Sequence, residues 1–246
     1  MLDHIQIILV GITHPGNIGA TARAMKTMGL SHLRLVQPKS FPNVEATARA
    51  SGADDILMQA PIYDSFEDSL HDCRLILGTT ARPRSIAWPA LSPRLCAKTA
   101  LEIQEPVALV FGREHSGLTN QELDCCHYMV QIPTNPSFSS LNIAAAVQIL
   151  AYELKVKSDE LALTSDNNSL SNLDTLLPAP ASAEAMTQFY QHLEQTLIDI
   201  EFLDPQKPRR LMRRLHRLFN RAKPNDSEMN ILRGILTATQ AQTRRR

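Results

Sequence analysis

Short runs of β-branched and aliphatic residues, each followed by a helical pattern, recur through the first part of this chain. They commit it to a mostly parallel sheet. Ile5-Gln6-Ile7-Ile8-Leu9-Val10 reads as a buried strand. A turn at Gly16 to Gly19 leads into a helix from Ala20 to Met28, with Gly29 as its C′ residue. Leu33 to Val36 is a second strand, halted by Pro38, and helices are expected around Glu45 to Ala50 and Phe66 to Asp72, the latter capped by Ser65. Arg74 to Leu77 gives a third strand that opens into Gly78-Thr79-Thr80-Ala81. Ser92 and Pro93 start a helix reaching about Ile103. Val107 to Phe111 and Tyr128 to Ile132 complete the strands, and a long helix follows from about Ser140 to Lys157. Strands separated by helices imply an α/β fold, a parallel sheet with helices on both faces. Its ligand site is expected beyond the carboxyl ends of the strands.

Past residue 157 the pattern changes. Residues 158–182 are rich in Ser, Asn and Asp and read as a linker between a domain at 1–157 and a small helical domain at 183–246. The net charge is zero, 25 basic against 25 acidic residues, so the total says nothing about partners. The distribution does. Lys207, Arg209, Arg210, Arg213, Arg214, Arg217, Arg221 and Lys223 follow one another with no acid between them. Leu211, Met212, Leu215, Leu218 and Phe219 form an apolar stripe, and the six arginines form the other face. Such a face is expected to meet a polyanion.

Several chemistries are disfavoured. The four cysteines show no C-x-x-C pair, and Cys125-Cys126 has poor geometry for a disulfide or a zinc site, so reduced thiols, no metal and a cytoplasmic setting are expected. No basic n-region opens the chain, and the uncharged stretch Tyr128 to Tyr152 is interrupted by prolines and asparagines. Neither secretion nor a membrane span is expected. There is no G-x-G-x-x-G after the first strand, no G-K-[ST] phosphate loop and no G-x-S-x-G elbow.

Three loop-to-helix segments remain. In His14 to Lys26, Asn17 precedes a helix and Arg23 lies further along it; alone, they read as a turn residue and a surface charge. In Phe111-Gly112-Arg113-Glu114-His115-Ser116-Gly117-Leu118-Thr119, a strand ends in a glycine that admits close approach of a ligand, and Thr119 is a ready N-cap. In Ile132 to Asn142, tandem serines begin a helix as capping requires, whereas Asn142 in the first turn is less readily explained.

Taken in order, N-x-G-x-x-x-R, F-G-R-E-x-x-G-L and I-P-x-x-x-x-x-S-S-L-N-x-A-x-A resemble the three motifs of the SPOUT RNA 2′-O-ribose methyltransferases. The segment G-N-I-G-A-T-A-R-A-M-K-T-M-G-L, followed by a basic C-terminal domain, is similar to the TrmJ branch. The resemblance implies a C-terminal trefoil knot in the first domain, a homodimer with shared active sites, and S-adenosylmethionine as methyl donor. The substrate it implies is the ribose of the pyrimidine that opens the tRNA anticodon loop. Thr79, Thr80, Ala81, Gly112, Ile132, Ser139, Ser140 and Leu141 would hold the cofactor. Arg23 of a second copy, with Asn17, Glu114, Ser140 and Asn142, would form the methyl-transfer centre, and Arg209, Arg210, Arg213, Arg214, Arg217 and Arg221 would bind RNA. A ribosomal RNA substrate and a non-catalytic RNA-binding module remain open alternatives, as does the choice between Arg23 as base and Arg23 as phosphate clamp.

Overall fold

A computed structural model describes residues 2–81, 89–167, 180–207 and 210–243. The elements run β1 (Ile5–Val10), α1 (Pro15–Thr27), β2 (His32–Val36), α2 (Val44–Ala50), α3 (Asp54–Gln59), β3 (Ile62–Tyr63), a 3₁₀ turn (Asp68–Leu70), β4 (Leu75–Thr79) and β5 (Ala90–Leu91). They continue with α4 (Pro93–Leu101), β6 (Val107–Phe111), α5 (Asn120–Asp124), β7 (Tyr128–Val130) and α6 (Ile143–Asn167), and end with α7 (Ala183–Asp199), α8 (Leu211–Ala222) and α9 (Asp226–Thr243). The seven strands lie in the order β3-β2-β1-β6-β4-β7-β5, and every pairing is parallel. The expected parallel sheet with helices on both faces is therefore present.

Alternation along β1 divides the core in two. Ile5, Ile7 and Leu9 bury against α1, α2, α4 and α6, while Ile8 and Val10 face a second cluster with Phe66, Leu70, Leu118, Leu123 and Cys126. Gly19 makes the first layer possible. A Cβ there would stand 1.9 Å from the Ala46 carbonyl oxygen, so only glycine lets α1 lie this close to α2. The four cysteines are free thiols, and burial pushes Cys73, Cys96 and Cys125 up to about 12.

Element ends differ from expectation in instructive ways. Helix α1 starts at Pro15 rather than Ala20, because His14 Nδ1 caps it by accepting from the Gly16 N–H at 3.2 Å. Asn17 thus lies inside the first turn. Helix α6 starts at Ile143, not Ser140, and Asn142 is its cap: Oδ1 accepts from the Ala144 N–H at 2.9 Å. That helix also runs on to Asn167, past the expected end at Lys157. The short elements α3, β3, β5 and α5 escape periodicity because each is shorter than the period needs to repeat.

The C-terminal helices bury Met186, Phe189, Tyr190, Leu193 and Met229 in a third cluster, with Leu215 and Phe219 of α8 against it. This unit is tied to the sheet unit by polar contacts. Arg74 donates to Asp226 at 3.1 Å, and the Ala183 N–H donates to the Cys73 carbonyl at 3.0 Å. Asn220 Nδ2 donates to the Asp124 and Cys126 carbonyls, while its Oδ1 accepts from Tyr190 Oη at 2.6 Å.

Candidate active site

The loops singled out as cofactor-holding leave β4, β6 and β7, which are neighbours in the sheet and parallel. Thr79–Ala81, Gly112 and Ile132–Leu141 therefore emerge side by side at its carboxyl edge. Thr79 closes β4, where its Oγ1 donates to the Val110 carbonyl at 2.9 Å, and the Thr80 N–H donates to the Val130 carbonyl at 3.0 Å. The remaining groups are backbone amides and carbonyls, hydroxyls and the apolar Ile132 and Leu141. Such a set matches the donors, acceptors and hydrophobic faces of a nucleoside. Among the described residues no cluster of three or more His, Cys, Asp or Glu could hold a metal. Residues 82–88, which follow Ala81, lie outside the described residues.

The polar centre is built around Glu114. Its carboxylate accepts from the Thr13 N–H at 3.2 Å, Thr13 Oγ1 at 3.1 Å, the His14 N–H at 3.2 Å and Asn17 Nδ2 at 3.0 Å. The Thr13 and His14 amides, just before α1, are thus satisfied by the protein's own carboxylate, while His14 itself accepts from the first-turn Gly16 and Asn17 amides. Desolvation pushes the Glu114 carboxyl upward, but the bond from Asn17 and those from the backbone amides outweigh it and hold its pKa at about 2. A carboxylate accepts only, so Asn17 must turn its Nδ2 toward Glu114. Its Oδ1 then accepts from Asn142 Nδ2 at 3.0 Å. Three residues from three separate segments form one fixed chain, Asn142 to Asn17 to Glu114.

The neighbouring motif residues hold the loop. Arg113 makes a two-pronged pair with Glu122, both bonds 3.0 Å, and Glu122 closes a capping box with Thr119. Arg113 and Gly117 exchange backbone hydrogen bonds. A Cβ on Gly112 would meet the Gly117 carbonyl carbon at 2.3 Å, so glycine is required there by the loop's own backbone. Ser139 accepts from Thr134 Oγ1 at its carbonyl, and Ser140 and Leu141 are exposed.

Arg23 stands apart. It is exposed and has no hydrogen bond or ion pair among the described residues. It lies about 9 Å further along α1 than Asn17 and about 120° around it. One copy of the chain does not bring Arg23 to Glu114.

The six arginines of the basic segment do not share one fate either. Arg209 lies outside the described residues. Arg213 turns inward and donates to Asp124 on α5 at 2.9 Å and to Asn120 at 3.4 Å, and the Arg213–Asp124 pair is only about 20% and 19% exposed on its two sides. Arg217 has its Nε buried without a partner among the described residues. Arg210, Arg214 and Arg221 are exposed. The interface that engages Arg213 also includes His216 stacked on Tyr190, ring centroids 3.7 Å apart, and Lys223 over the Tyr128 ring at 4.4 Å. Sequence reasoning missed this interface, as it missed Thr13 and His14. Helical spacing puts Asn220 on the polar side beside Arg213 and His216, so periodicity gave no signal for it.

Comparison with known proteins bears on both units. Residues 4–152 match the SpoU rRNA methylase family, and residues 184–246 match the C-terminal domain of tRNA methyltransferase TrmJ. A Pseudomonas aeruginosa protein described as tRNA (cytidine/uridine/adenosine-2′-O-)-methyltransferase TrmJ is 54% identical, covering 99% of this chain and 96% of its own length. A Pectobacterium atrosepticum protein described as tRNA (cytidine/uridine-2′-O-)-methyltransferase TrmJ is 49% identical, covering 98% of both. The crystal structure of TrmJ from Z. mobilis ZM4 superimposes with a TM-score of 0.81 at 33% identity, covering 95% of this chain and 97% of that one.

Proposed function

The chain belongs to the SpoU rRNA methylase family, and from that premise we propose that it is a tRNA 2′-O-methyltransferase acting on the pyrimidine that opens the anticodon loop. The observation that carries the reading is the Asn142–Asn17–Glu114 chain, which ties the three motif segments together beside the loops fit to hold a nucleoside. The tRNA substrate, rather than ribosomal RNA, is supported by full-length relatives described as acting on tRNA and by the C-terminal domain match.

S-adenosylmethionine would be held by the backbone of Thr79, Thr80, Ala81, Gly112 and Ile132 and by Ser139, Ser140 and Leu141, and would supply the activated methyl group. The ribose 2′-oxygen must approach in line, take the methyl group and release its proton. Glu114 is a poor base for that proton: at a pKa of about 2 it remains a weakly basic carboxylate. Its role is to fix Asn17, and through it Asn142, in one orientation. The Arg23 guanidinium grips the substrate phosphate with two parallel bonds that set the 2′-oxygen in place. Ser140, exposed at the same edge, completes the centre.

Arg23 of a second copy fills this role, which makes the working unit a homodimer. Its unpaired, exposed position away from Glu114 supports that reading. The helical unit from residue 183 onward serves to hold the RNA. The trefoil knot belongs to the same proposal; β7 pairs with β4, not with the β6 that precedes it, as a chain re-entering the sheet does.

Transfer of labelled methyl to purified tRNA, with mapping of the modified ribose, tests the reaction. Arg23→Ala should lower turnover by about 10³-fold with cofactor binding and stability unchanged. A near-normal rate would sink the assignment. Mixing Arg23→Ala with Glu114→Gln protein should restore about a quarter of native activity if each site draws on two copies of a symmetric dimer. No restoration would place Arg23 and Glu114 in sites of single copies.

A further inference from the structure

The turn between α7 and α8 carries a concavity of about 640 Å³, lined by Phe202, Leu203, Asp204, Lys207, Arg210, Leu211 and Arg214. How Phe202 comes to line it is local geometry. Glu201 adopts a left-handed φ of +60°, and the N–H groups of Phe202 and Leu203 both donate to the Leu197 carbonyl, at 2.9 and 3.0 Å. The chain reverses there, Leu203 goes into the core at 4% exposure, and Phe202 is left 66% exposed. An aromatic ring this exposed, with an apolar floor and cations around it, is an unusual surface feature.

Charge sharpens the picture. Lys207, Arg210 and Arg214 have no side-chain hydrogen bond or ion pair among the described residues, whereas Arg213, the neighbour of Arg214, is held by Asp124. The single acid of the concavity, Asp204, has its Oδ1 engaged by the Gln206 N–H at 2.8 Å. Three unpaired cations and a bare ring converge on one hollow. Phosphate oxygens match the cations, and an unstacked base matches the ring.

We infer that this hollow binds an unpaired nucleotide of the substrate RNA, its base stacked on Phe202 and its flanking phosphates on Lys207, Arg210 and Arg214. The inference rests on the tRNA reading above. Position supports it: α8 is clamped through Arg213 to Asn120 and Asp124 of α5, and Asn120 ends the loop that starts at Glu114, a span of at most roughly 20 Å. An RNA strand entering the active site passes within a few nucleotides of the hollow.

The test compares an unmodified tRNA transcript with a blunt-ended RNA duplex, binding each to native protein, Phe202→Ala and the double variant Lys207→Ala/Arg214→Ala. All three positions are exposed, so melting should not change, and a melt checks this. Phe202→Ala is expected to weaken tRNA binding about tenfold and leave the duplex unaffected. The double variant should flatten the dependence of log Kd on log salt by about 0.7 to 0.9 per lost contact. Unchanged tRNA affinity in Phe202→Ala overturns the inference, and so does equal weakening toward the duplex, which has no unstacked base to offer. Methyl transfer is read in parallel. Activity of the native protein on tRNA together with an indifferent Phe202→Ala sinks the hollow alone, while native protein that neither binds nor methylates tRNA sinks the tRNA reading with it.

Discussion

The loop at Glu114 and the helix α8 are both strongly polar, and they use their polar groups in opposite ways. Around Glu114 the key groups are turned on one another: one carboxylate takes bonds from Thr13, His14 and Asn17, and Asn17 takes one from Asn142. Along α8 the charges divide by direction, with Arg213 spent on Asp124 and Arg210, Arg214 and Arg221 facing outward. A site that must hold one geometry closes its hydrogen bonds internally. A surface that must meet a mobile polyanion leaves cations unpaired, and a helix that must also dock cannot leave all of them so.

The sharpest way to break this contrast is Glu114→Gln. The amide keeps one acceptor oxygen for the His14 N–H and Asn17 Nδ2, but it puts an NH₂ where Thr13 Oγ1 donates and removes the negative charge, so Asn17 is held less firmly. Turnover should fall about 10²- to 10³-fold. Because Glu114 orients and does not take up a proton, the pH–rate profile of the residual activity should keep its native shape. A changed profile with a modest loss would instead make Glu114 the base.

This site was more legible in the sequence than α8. Asn17, Glu114 and Asn142 are picked out together by the resemblance of the three ordered motifs, since residue by residue Asn17 reads as a turn residue and Asn142 as part of a helix start. Even so, the reasons differed in detail: Asn142 is a helix cap as well as a partner of Asn17, and Gly112 and Gly19 serve backbone packing. For α8, periodicity separated arginines from leucines but could not say which arginines would face α5. That depends on Asp124 and Asn120, distant in sequence and on a helix too short to announce itself. Arg23 was legible as a motif residue, but its distance from Glu114 within one copy was not.

Arg213→Glu tests the docking half. It places a second carboxylate against Asp124 in a largely buried contact, and desolvation already pushes the Asp124 carboxyl upward despite the bond from Arg213. A loss of about 3 kcal/mol in stability is expected by denaturant unfolding, partly restored by adding Asp124→Arg. If stability holds and only tRNA affinity falls, Arg213 belongs to the RNA face after all.

Acid should separate the two regions. Burial lowers His216, at the α8 interface, and His127, below α5, to about 4, from an ordinary value of 6.5. Both histidines are depressed, so their stabilising effect is complete above pH 6.5 and is lost as pH falls from 6.5 toward 4. At pH 5.5 each should cost about 1 kcal/mol. Glu114 is depressed from 4.5 to about 2, so its contribution persists down to about pH 4.5 and is lost below. Hydrogen exchange at pH 5.5 should therefore quicken in α8 before it quickens at Thr13 and His14, and His216→Phe should blunt that difference. Simultaneous opening would mean the two regions unfold as one.

The smallest effect expected is also the most discriminating for α8. Arg217 has the same residue type and the same helix as Arg214, but its Nε is buried with no acceptor among the described residues, a desolvated donor. Arg217→Met keeps the length and the packing of the stem and removes that donor. Stability should rise by up to about 1 kcal/mol, and the KM for tRNA should change less than it does in Arg214→Ala. A fall in stability would mean the guanidinium finds a partner when the helix is docked. A KM effect as large as that of Arg214→Ala would mean the RNA reaches around the helix to the side that faces α5, and the division of α8 into a docking side and a binding side would not stand.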